Sequence, residues 1–332
     1  MKLLSIVIPF YNTEKEYFSL CLNSLAEVDL DRIEIIVVDD GLDVASSQEI
    51  SAVLERTGLE VQFYKKPNGG QNSARSYGLQ YATGQYVFFL DSDDYVDPVA
   101  LSASLVCLAV KQPHILAFNY DVLAPDGHCL RQCKQWAHGY RAMNLREGVL
   151  NFNSMWMQFF QVSALKELPF GLVQGVRIGE DLASAVSILI AVGDASTIGL
   201  SLYRYVKRPS STLSNPPLKS LFDIQRAFDG MIERVGAKGR EYYAELEWIA
   251  ILHVLYWGGI RIVKCCGPDT EKKKQLFKWM DDVFPGWKRN RYMKTAEIAK
   301  KIAFKLIIAG DWRTFYLLFH LRQIFKKMMT GR

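Results

Sequence analysis

The sequence predicts an α/β fold, a mostly parallel, doubly wound sheet followed by a helical and basic C-terminal region. Three observations carry the prediction. From Leu3 to Asp91, short apolar runs rich in β-branched and aromatic residues alternate with stretches of helical spacing, the pattern of successive βαβ units. Two of the runs, Ile33 to Val38 and Tyr86 to Leu90, stop in carboxylates, and the carboxyl ends of strands are where open α/β sheets bind ligands. Beyond Asn215-Pro216-Pro217 the sequence is helical throughout.

Taken in order, Leu3 to Tyr11 is the first strand. Lys15 to Val28 places Phe18, Leu22 and Leu25 at helical spacing. Ile33 to Val38 is a second buried strand, Val44 to Arg56 a polar helix and Val61 to Lys65 a third strand. Pro67-Asn68-Gly69-Gly70 is a turn, and Gln71 to Ala82 a helix. Tyr86 to Leu90 is almost wholly apolar, so it reads as a strand buried on both faces and therefore central. A helix follows Asp97-Pro98 to about Val110, then a strand from His114 to Leu123 and an irregular stretch from Ala124 to Leu145. Met155 to Leu168 is aromatic and then helical. Gly179-Glu180-Asp181 opens an apolar helix from Leu182 to Ala191, and Leu200 to Tyr205 is the last strand before Lys207-Arg208-Pro209-Ser210-Ser211.

The chain has 332 residues, room for two domains on the usual size scale. Its 49% hydrophobic and 23% charged residues are ordinary for a globular protein. No uninterrupted apolar run approaches the ~20 residues that span a bilayer. The opening residues superficially resemble a secretory signal, but the run is short, holds Pro9 and reaches Asn12 and Glu14 without a small-residue cleavage site. It reads as the first strand, and the chain is expected to stay in the cytosol. Cys129 and Cys133, with His128 and His138 nearby, lack the second ligand pair of a zinc site. Charge is uneven: residues 286–332 hold 12 Lys/Arg and 2 Asp/Glu, a net of +10, which leaves −5 for the rest of a +5 chain. Such asymmetry points to an anionic partner surface for the tail.

In a parallel sheet, Asp39-Asp40 and Asp91-Ser92-Asp93 come to one edge. Their mutual repulsion there is costly unless a cation or hydrogen-bond donors fill the space. Two carboxylates one residue apart can hold a hard divalent cation with positions left for phosphate oxygens. An N-cap cluster for the helix after Pro98, or a solvated turn, is the plainer alternative. Neither G-x-G-x-x-G nor G-x-x-x-x-G-K-S/T occurs.

Four segments then carry a specific resemblance. Ser5-Ile-Val-Ile-Pro-Phe-Tyr-Asn12, Glu34-Ile-Ile-Val-Val-Asp-Asp-Gly41, Asn68-Gly-Gly-Gln-Asn-Ser-Ala-Arg75 and Ala82-Thr-Gly-Gln-Tyr-Val-Phe-Phe-Leu-Asp-Ser-Asp-Asp94 resemble, in order and spacing, the family 2 glycosyltransferases of GT-A fold. The likeness is strong over residues 1–100, looser to about 215, and does not cover the tail. It implies a catalytic domain over 1–215, with a nucleotide-sugar half (1–112) and an acceptor half (113–215), and a helical, basic region over 216–332. It also implies roles. Tyr11 stacks on the base and Pro9 shapes its pocket. Asp40 accepts a hydrogen bond from the base, which favours uracil. Asn68 and Arg75 contact the donor near the nucleotide. Asp91 faces the ribose or the metal's water shell, and Asp93 ligates Mg²⁺ or Mn²⁺. Arg204, Lys207 and Arg208 resemble the basic loop that covers the diphosphate. Asp181 is the catalytic base with Glu180 in support, or the reverse, and the reaction inverts the anomeric carbon. Trp156 stacks on a sugar or is simply buried. Leu42 and Ser76 stand where the family usually has Ser and Asn, both at the pocket edge.

The function so implied moves a sugar from a nucleotide sugar, UDP-linked by the Asp40 argument, to a hydroxyl of a glycan or polyprenyl-linked acceptor in surface polysaccharide synthesis. A non-catalytic nucleotide-sugar-binding subunit and a sugar nucleotidyltransferase are the alternatives. In the tail, Ile302 to Met329 combines a wide apolar face with cationic edges. That is the pattern of a helix lying on an anionic membrane, here the inner face of the cell membrane, or of one packed on the catalytic domain. No nucleic-acid-binding motif accompanies the charge.

Overall fold

Alternation along the strands decides the sheet. The structure is a computed structural model that describes residues 2–169, 171–208, 220–268 and 270–329. Its strands are β1 (Leu4–Phe10), β2 (Ile33–Asp39), β3 (Val61–Lys65), β4 (Tyr86–Phe89), β5 (Tyr95–Val96), β6 (Ile115–Leu123), β7 (Cys129–Cys133), β8 (Tyr140–Ala142), β9 (Gln158–Gln161) and β10 (Ser196–Val206). They form one sheet in the order β3-β2-β1-β4-β9-β6-β10-β5, with β7 beside β6 and β8 beside β10. The first four are parallel, as read from the sequence. β9 runs antiparallel between β4 and β6 and joins the two halves.

Successive side chains of a strand face opposite sides. Leu4, Ile6 and Ile8 of β1, Ile35 and Val37 of β2, and Phe88 of β4 share one core layer; Val7, Ile36, Val38, Val87 and Phe89 share the other. Helices α1 (Lys15–Asn23), α2 (Val44–Thr57) and α4 (Pro98–Lys111) cover the first face, with Phe18, Ile50 and Leu105 buried. Helices α3 (Gln71–Tyr81), α5 (Leu145–Asn151), α6 (Val162–Lys166) and α7 (Glu180–Val192) cover the second, where Ala74, Val149, Leu165 and Val186 are buried.

The helical region packs on that second face. A continuous helical segment runs through α8 (Asp223–Val235), α9 (Tyr243–Ala250) and α10 (Gly258–Cys266), joined by a 3₁₀ segment (Gly236–Tyr242) and a π segment (Ile251–Trp257). After it come α11 (Lys272–Val283), α12 (Arg291–Thr295), α13 (Ile298–Ile308) and α14 (Trp312–Met329). One apolar core runs from Val7 and Phe89 in the sheet to Phe304, Trp312 and Phe315 near the end of the chain. The 44-residue segment Asp223–Cys266 is long and apolar enough to cross a membrane by length and composition, and 61% of its most apolar window is buried in the protein. Glu247 and Arg261 interrupt its apolar run, which is why no span stood out in the sequence.

Four readings of local structure change: α1 ends at Asn23 rather than at Val28, β10 starts at Ser196 rather than at Leu200, and two stretches gain strands. The stretch expected to be irregular contains β7 and β8, whose residues are mostly exposed and so show no burial alternation. The stretch from Met155 holds β9, whose four residues, Gln-Phe-Phe-Gln, are too few to show a period. The Asn215-Pro216-Pro217 boundary and Pro209-Ser210-Ser211 lie outside the described residues.

At the amino ends of the strands, a buried carboxylate ties the sheet together. Glu34 accepts hydrogen bonds from the Ser5 hydroxyl, from Thr83 N (2.7 Å) and Oγ1 (3.0 Å), from Gly84 N (3.1 Å) and from Gln62 Nε2 (3.1 Å). Burial alone raises its pKa, but these donors outweigh burial and hold it below the ordinary value. A depressed folded pKa stabilises the fold above the unfolded value and ceases to do so as pH falls through the folded one. Glu34→Leu is therefore expected to cost about 1–3 kcal/mol through orphaned donors. In urea titrations the gap to the unsubstituted protein should be widest near neutral pH and narrow below pH ~4.

Candidate active site

The site forms where β1, β2 and β4 end together. After β4 the backbone closes a tight turn, with Asp94 N donating to Asp91 O at 3.1 Å. The turn gathers Asp91, Asp93 and Asp94 so that one carboxylate oxygen of each lies within 4.8 Å of the others. β10 clamps the turn from the far side. Tyr203 Oη donates to Asp94 Oδ2 at 2.7 Å and accepts from Asp91 N at 3.3 Å, while Val206 N donates to Asp94 Oδ1 at 2.7 Å. Burial pushes the carboxyl groups of Asp94 and Asp91 above the usual range. Arg75 opposes that rise at Asp91.

Arg75 spans the floor. Its side chain is fully buried in α3. Nη2 bonds Asp91 Oδ1 at 2.7 Å, and Nη1 bonds Asp181 and, at 2.8 Å, Asn72 Oδ1. Gln71 Nε2 adds a second donor to Asp91 Oδ1 at 2.7 Å. Burial alone lowers the guanidinium pKa, and the charges of Asp181 and Asp91 outweigh it. The sequence reading had Arg75 touching the donor; the structure uses it to join the end of β4 to the start of α7. Helix α7 is itself anchored. Gly179, its N-cap, has φ +89°, and a Cβ there would come within 2.4 Å of Ile224 Cδ1 in α8. Asp223 accepts from Arg177 N at 2.7 Å beside it.

The remaining expected residues divide. Pro9 is buried in β1 opposite Val38, and Tyr11, 51% exposed at the end of that strand, is open to a ligand. Asp40 is already occupied. Its carboxylate accepts from Gly69 N (3.0 Å), Gly70 N (2.8 Å) and Lys66 Nζ (2.6 Å), and its backbone oxygen takes Asn68 Nδ2 at 2.8 Å. Asp40 and Asn68 thus hold the glycine turn in place. Gly41 permits the approach, since a Cβ there would lie 2.5 Å from Asn68 N. Arg204 points away from the cluster, to Asp97 at 2.7 Å and to Asp121. Strand alternation gives the reason: the neighbouring Tyr203 faces the aspartates, so Arg204 faces the opposite side. Lys207 is exposed just past β10. Arg208 reaches the cluster, paired with Asp93. Trp156 is buried in a stack with Tyr203, ring centroids 4.2 Å apart. Asp94 and Tyr203 gained no role from the sequence; the run of acids contained the first, and nothing local marked the second.

Glu180 and Asp181 open α7. Burial and then the charge of Asp181 push the Glu180 carboxyl up to about 7. Asp181 is bonded to Arg75 through Oδ1. The site thus gathers five carboxylates, Asp91, Asp93, Asp94, Glu180 and Asp181, around Arg75 and Arg208, an excess of negative charge suited to a cation. Among the described residues, no other group of His, Cys, Asp and Glu is placed to hold a metal ion, the Cys129 and Cys133 segment included.

Comparison with known proteins gives the family and the fold. Residues 5–168 match the family described as glycosyl transferase family 2. The chain is 39% identical over 94 residues to the uncharacterized glycosyltransferase EpsJ of Bacillus subtilis, covering 28% of this chain and 27% of that protein. It is 35% identical over 214 residues to the poly(ribitol-phosphate) beta-N-acetylglucosaminyltransferase TarS of Staphylococcus aureus, covering 64% of this chain and 37% of TarS. The chain thus spans 27% and 37% of the length of these two relatives. The crystal structure of S. aureus TarS 1-349 in complex with UDP-GlcNAc superposes with a TM-score of 0.72 at 18% identity, over 100% of this chain and 93% of the other. That likeness establishes the GT-A fold through the helical region.

Removing the guanidinium strands two largely sheltered acids. Arg75→Met is expected to cost about 3–5 kcal/mol, the usual penalty for breaking a buried ion pair from one side. Adding Asp91→Asn and Asp181→Asn to that variant should restore part of the loss. A triple variant no more stable than Arg75→Met in denaturant unfolding would mean the pairs do not carry the stability.

Proposed function

Through residues 5–168 the chain belongs to glycosyl transferase family 2, and on that footing we propose that it is an inverting glycosyltransferase. It moves a sugar from a nucleotide sugar, UDP-linked in this reading, to a hydroxyl of a glycan or polyprenyl-linked acceptor in surface polysaccharide synthesis. The observation that carries the reading is the acidic turn Asp91–Asp94 facing Asp181 across Arg75. Tyr11 offers a stacking face for the base, and the turn held by Asp40 and Asn68 lines its edge. Its relative TarS is a beta-N-acetylglucosaminyltransferase solved with UDP-GlcNAc, which supports a nucleotide-sugar donor.

The family implies a divalent metal, and the residues fit one: three carboxylates within mutual reach make an all-oxygen donor set suited to Mg²⁺ or Mn²⁺. Asp93 and Asp91 would hold it; Asp94 has both oxygens engaged by β10. When bound, the ion supplies charge stabilisation to the leaving diphosphate. Lys207 and Arg208 add positive charge beside it.

The acceptor hydroxyl needs a base as its oxygen bonds the anomeric carbon and the bond to the diphosphate breaks. Asp181 takes the proton in the first reading; Arg75 bonds its Oδ1 and fixes the carboxylate in the first turn of α7. Glu180 is the second reading, favoured by its carboxyl at about 7, near the pH at which a base works best.

Three measurements test this. Incubation with a panel of nucleotide sugars and Mn²⁺ should release nucleotide from one of them; release from none would favour a binding subunit. Asp93→Ala should abolish transfer even at saturating Mn²⁺. Asp181→Asn should lose transfer by about two to four orders of magnitude, the share of general base catalysis. A base acts deprotonated, so kcat/KM falls as pH drops through its pKa. If Glu180 is the base, Glu180→Gln shows the large loss and the unsubstituted enzyme bends near pH 7. If Asp181 is, Glu180→Gln keeps most turnover.

The same proposal places the protein at the cytoplasmic face of the cell membrane. The hairpin α13–α14 packs on the core through Phe304, Ile307, Trp312 and Phe315, yet leaves Ile298, Ile302, Leu317, Leu318, Leu321 and Ile324 exposed. Set beside the +10 charge of residues 286–332, where each basic residue near an anionic surface gains about 1 kcal/mol, this supports docking on anionic lipid. The triple variant Leu317→Glu, Leu321→Glu, Ile324→Glu should lose co-sedimentation with anionic liposomes at moderate salt. No sedimentation of the unsubstituted protein would end the membrane reading.

A further inference from the structure

Arg208 sits where a cation ligand is needed. The end of β10 is fixed to the acidic turn through Asp94, by Tyr203 Oη and Val206 N, and Lys207 N donates to Leu123 O at 2.8 Å. Two residues past Val206, the Arg208 guanidinium pairs with Asp93 Oδ2. It also lies over the Tyr17 ring of α1, 5.4 Å from the centroid. Both members of the pair are largely sheltered, at 18% and 25% side-chain exposure, so water screens the attraction only in part. Arg75 and Gln71 both bond Asp91 through Oδ1, and β10 engages both oxygens of Asp94. Asp93 is therefore the carboxylate of the turn whose holder, Arg208, lies just past the last residue of β10 and keeps some contact with solvent.

We propose that Arg208 is an exchangeable counter-cation: it holds Asp93 against the divalent ion, releases it when the donor's diphosphate takes the guanidinium, and so couples metal binding to donor binding. This rests on the metal site proposed above. The physical reason is that one carboxylate oxygen cannot serve a guanidinium and a hard cation at once. A diphosphate offers Arg208 a bidentate partner of higher charge. By linkage, whatever draws Arg208 from Asp93 strengthens the metal, and the metal in turn strengthens the donor. Tyr17 keeps the guanidinium beside the cluster during the exchange. An enzyme built this way binds metal weakly alone and tightly with donor, which limits ion capture without substrate.

The test is metal binding itself, read by the free Mn²⁺ electron paramagnetic resonance signal, with and without UDP. Asp93→Asn should abolish the site, and if it does not, or if no Mn²⁺ binds at all, the metal reading fails. Given an Asp93-dependent site, Arg208→Gln should tighten Mn²⁺ binding about fivefold without UDP. That factor corresponds to about 1 kcal/mol of competing ion-pair energy. The gain should shrink at high salt, where the competing pair is screened. UDP should raise Mn²⁺ affinity less in Arg208→Gln than in the unsubstituted protein. Arg208→Lys, which keeps the charge, should stay near the unsubstituted value. Unchanged or weaker Mn²⁺ binding in Arg208→Gln, with the Asp93 dependence intact, overturns the exchange and leaves the metal site standing.

Discussion

The structure depends on one buried cation. Arg75 lies with no solvent exposure between Asp91 and Asp181, residues 90 positions apart in the chain. A guanidinium in that position is costly unless both its carboxylates are present, and each carboxylate is costly without it. The three groups therefore fix one another. Asp91 is the first residue of the acidic turn, and Asp181 lies in the first turn of α7. Their distance is set by a planar fork whose geometry suits two carboxylates at once. Asn72 extends the constraint, donating to Val173 O at 3.0 Å and to Ser184 Oγ at 3.1 Å. The acidic turn is thereby fixed to α7 by side chains of α3, α7 and the residue Asp91 after β4.

The helical region contributes to the same constraint from behind. Asp223 and Ile224 of α8 meet the segment Arg177–Gly179 that leads into α7. Apolar core then continues without a break to the last helices. A second buried carboxylate, Glu245, gathers Arg146, Arg291 and Tyr292, so α5, α9 and α12 are locked by charge as well as by packing. The most apolar window of the long segment α8–α10 is mostly buried, and its apolar length serves a core rather than announcing a span. The outer face of α13–α14 leaves Ile298, Ile302, Leu317, Leu318, Leu321 and Ile324 open to solvent.

Much of this was legible in the sequence. Strand and helix periods placed β1 to β4, α2, α3 and α4 within one or two residues of their observed ends, because a parallel strand buried on both faces is a continuous apolar run. The carboxylates at the ends of β2 and β4 were legible for the same reason, since the run must stop where the sheet meets solvent. What failed to show was short or two-sided: β9 spans four residues, and β7 and β8 are exposed edges without alternation.

The sequence by itself determined the layered α/β class, the acidic edge and the helical C-terminal region, since these follow from residue type and period along the chain. Tertiary structure alone decided which charge meets which. Asp40, expected to accept from the base, accepts from Gly69, Gly70 and Lys66. Arg204 looked like part of a basic loop and is turned to Asp97 and Asp121, while Arg208 reaches Asp93. Arg75, expected to contact the donor, is fully buried at the centre of the site. Ionic partners lie as far as 115 residues apart, as Arg208 and Asp93 do, and an ion pair forms through direction and desolvation at a point in space. Neither leaves a periodic trace in the order of residues.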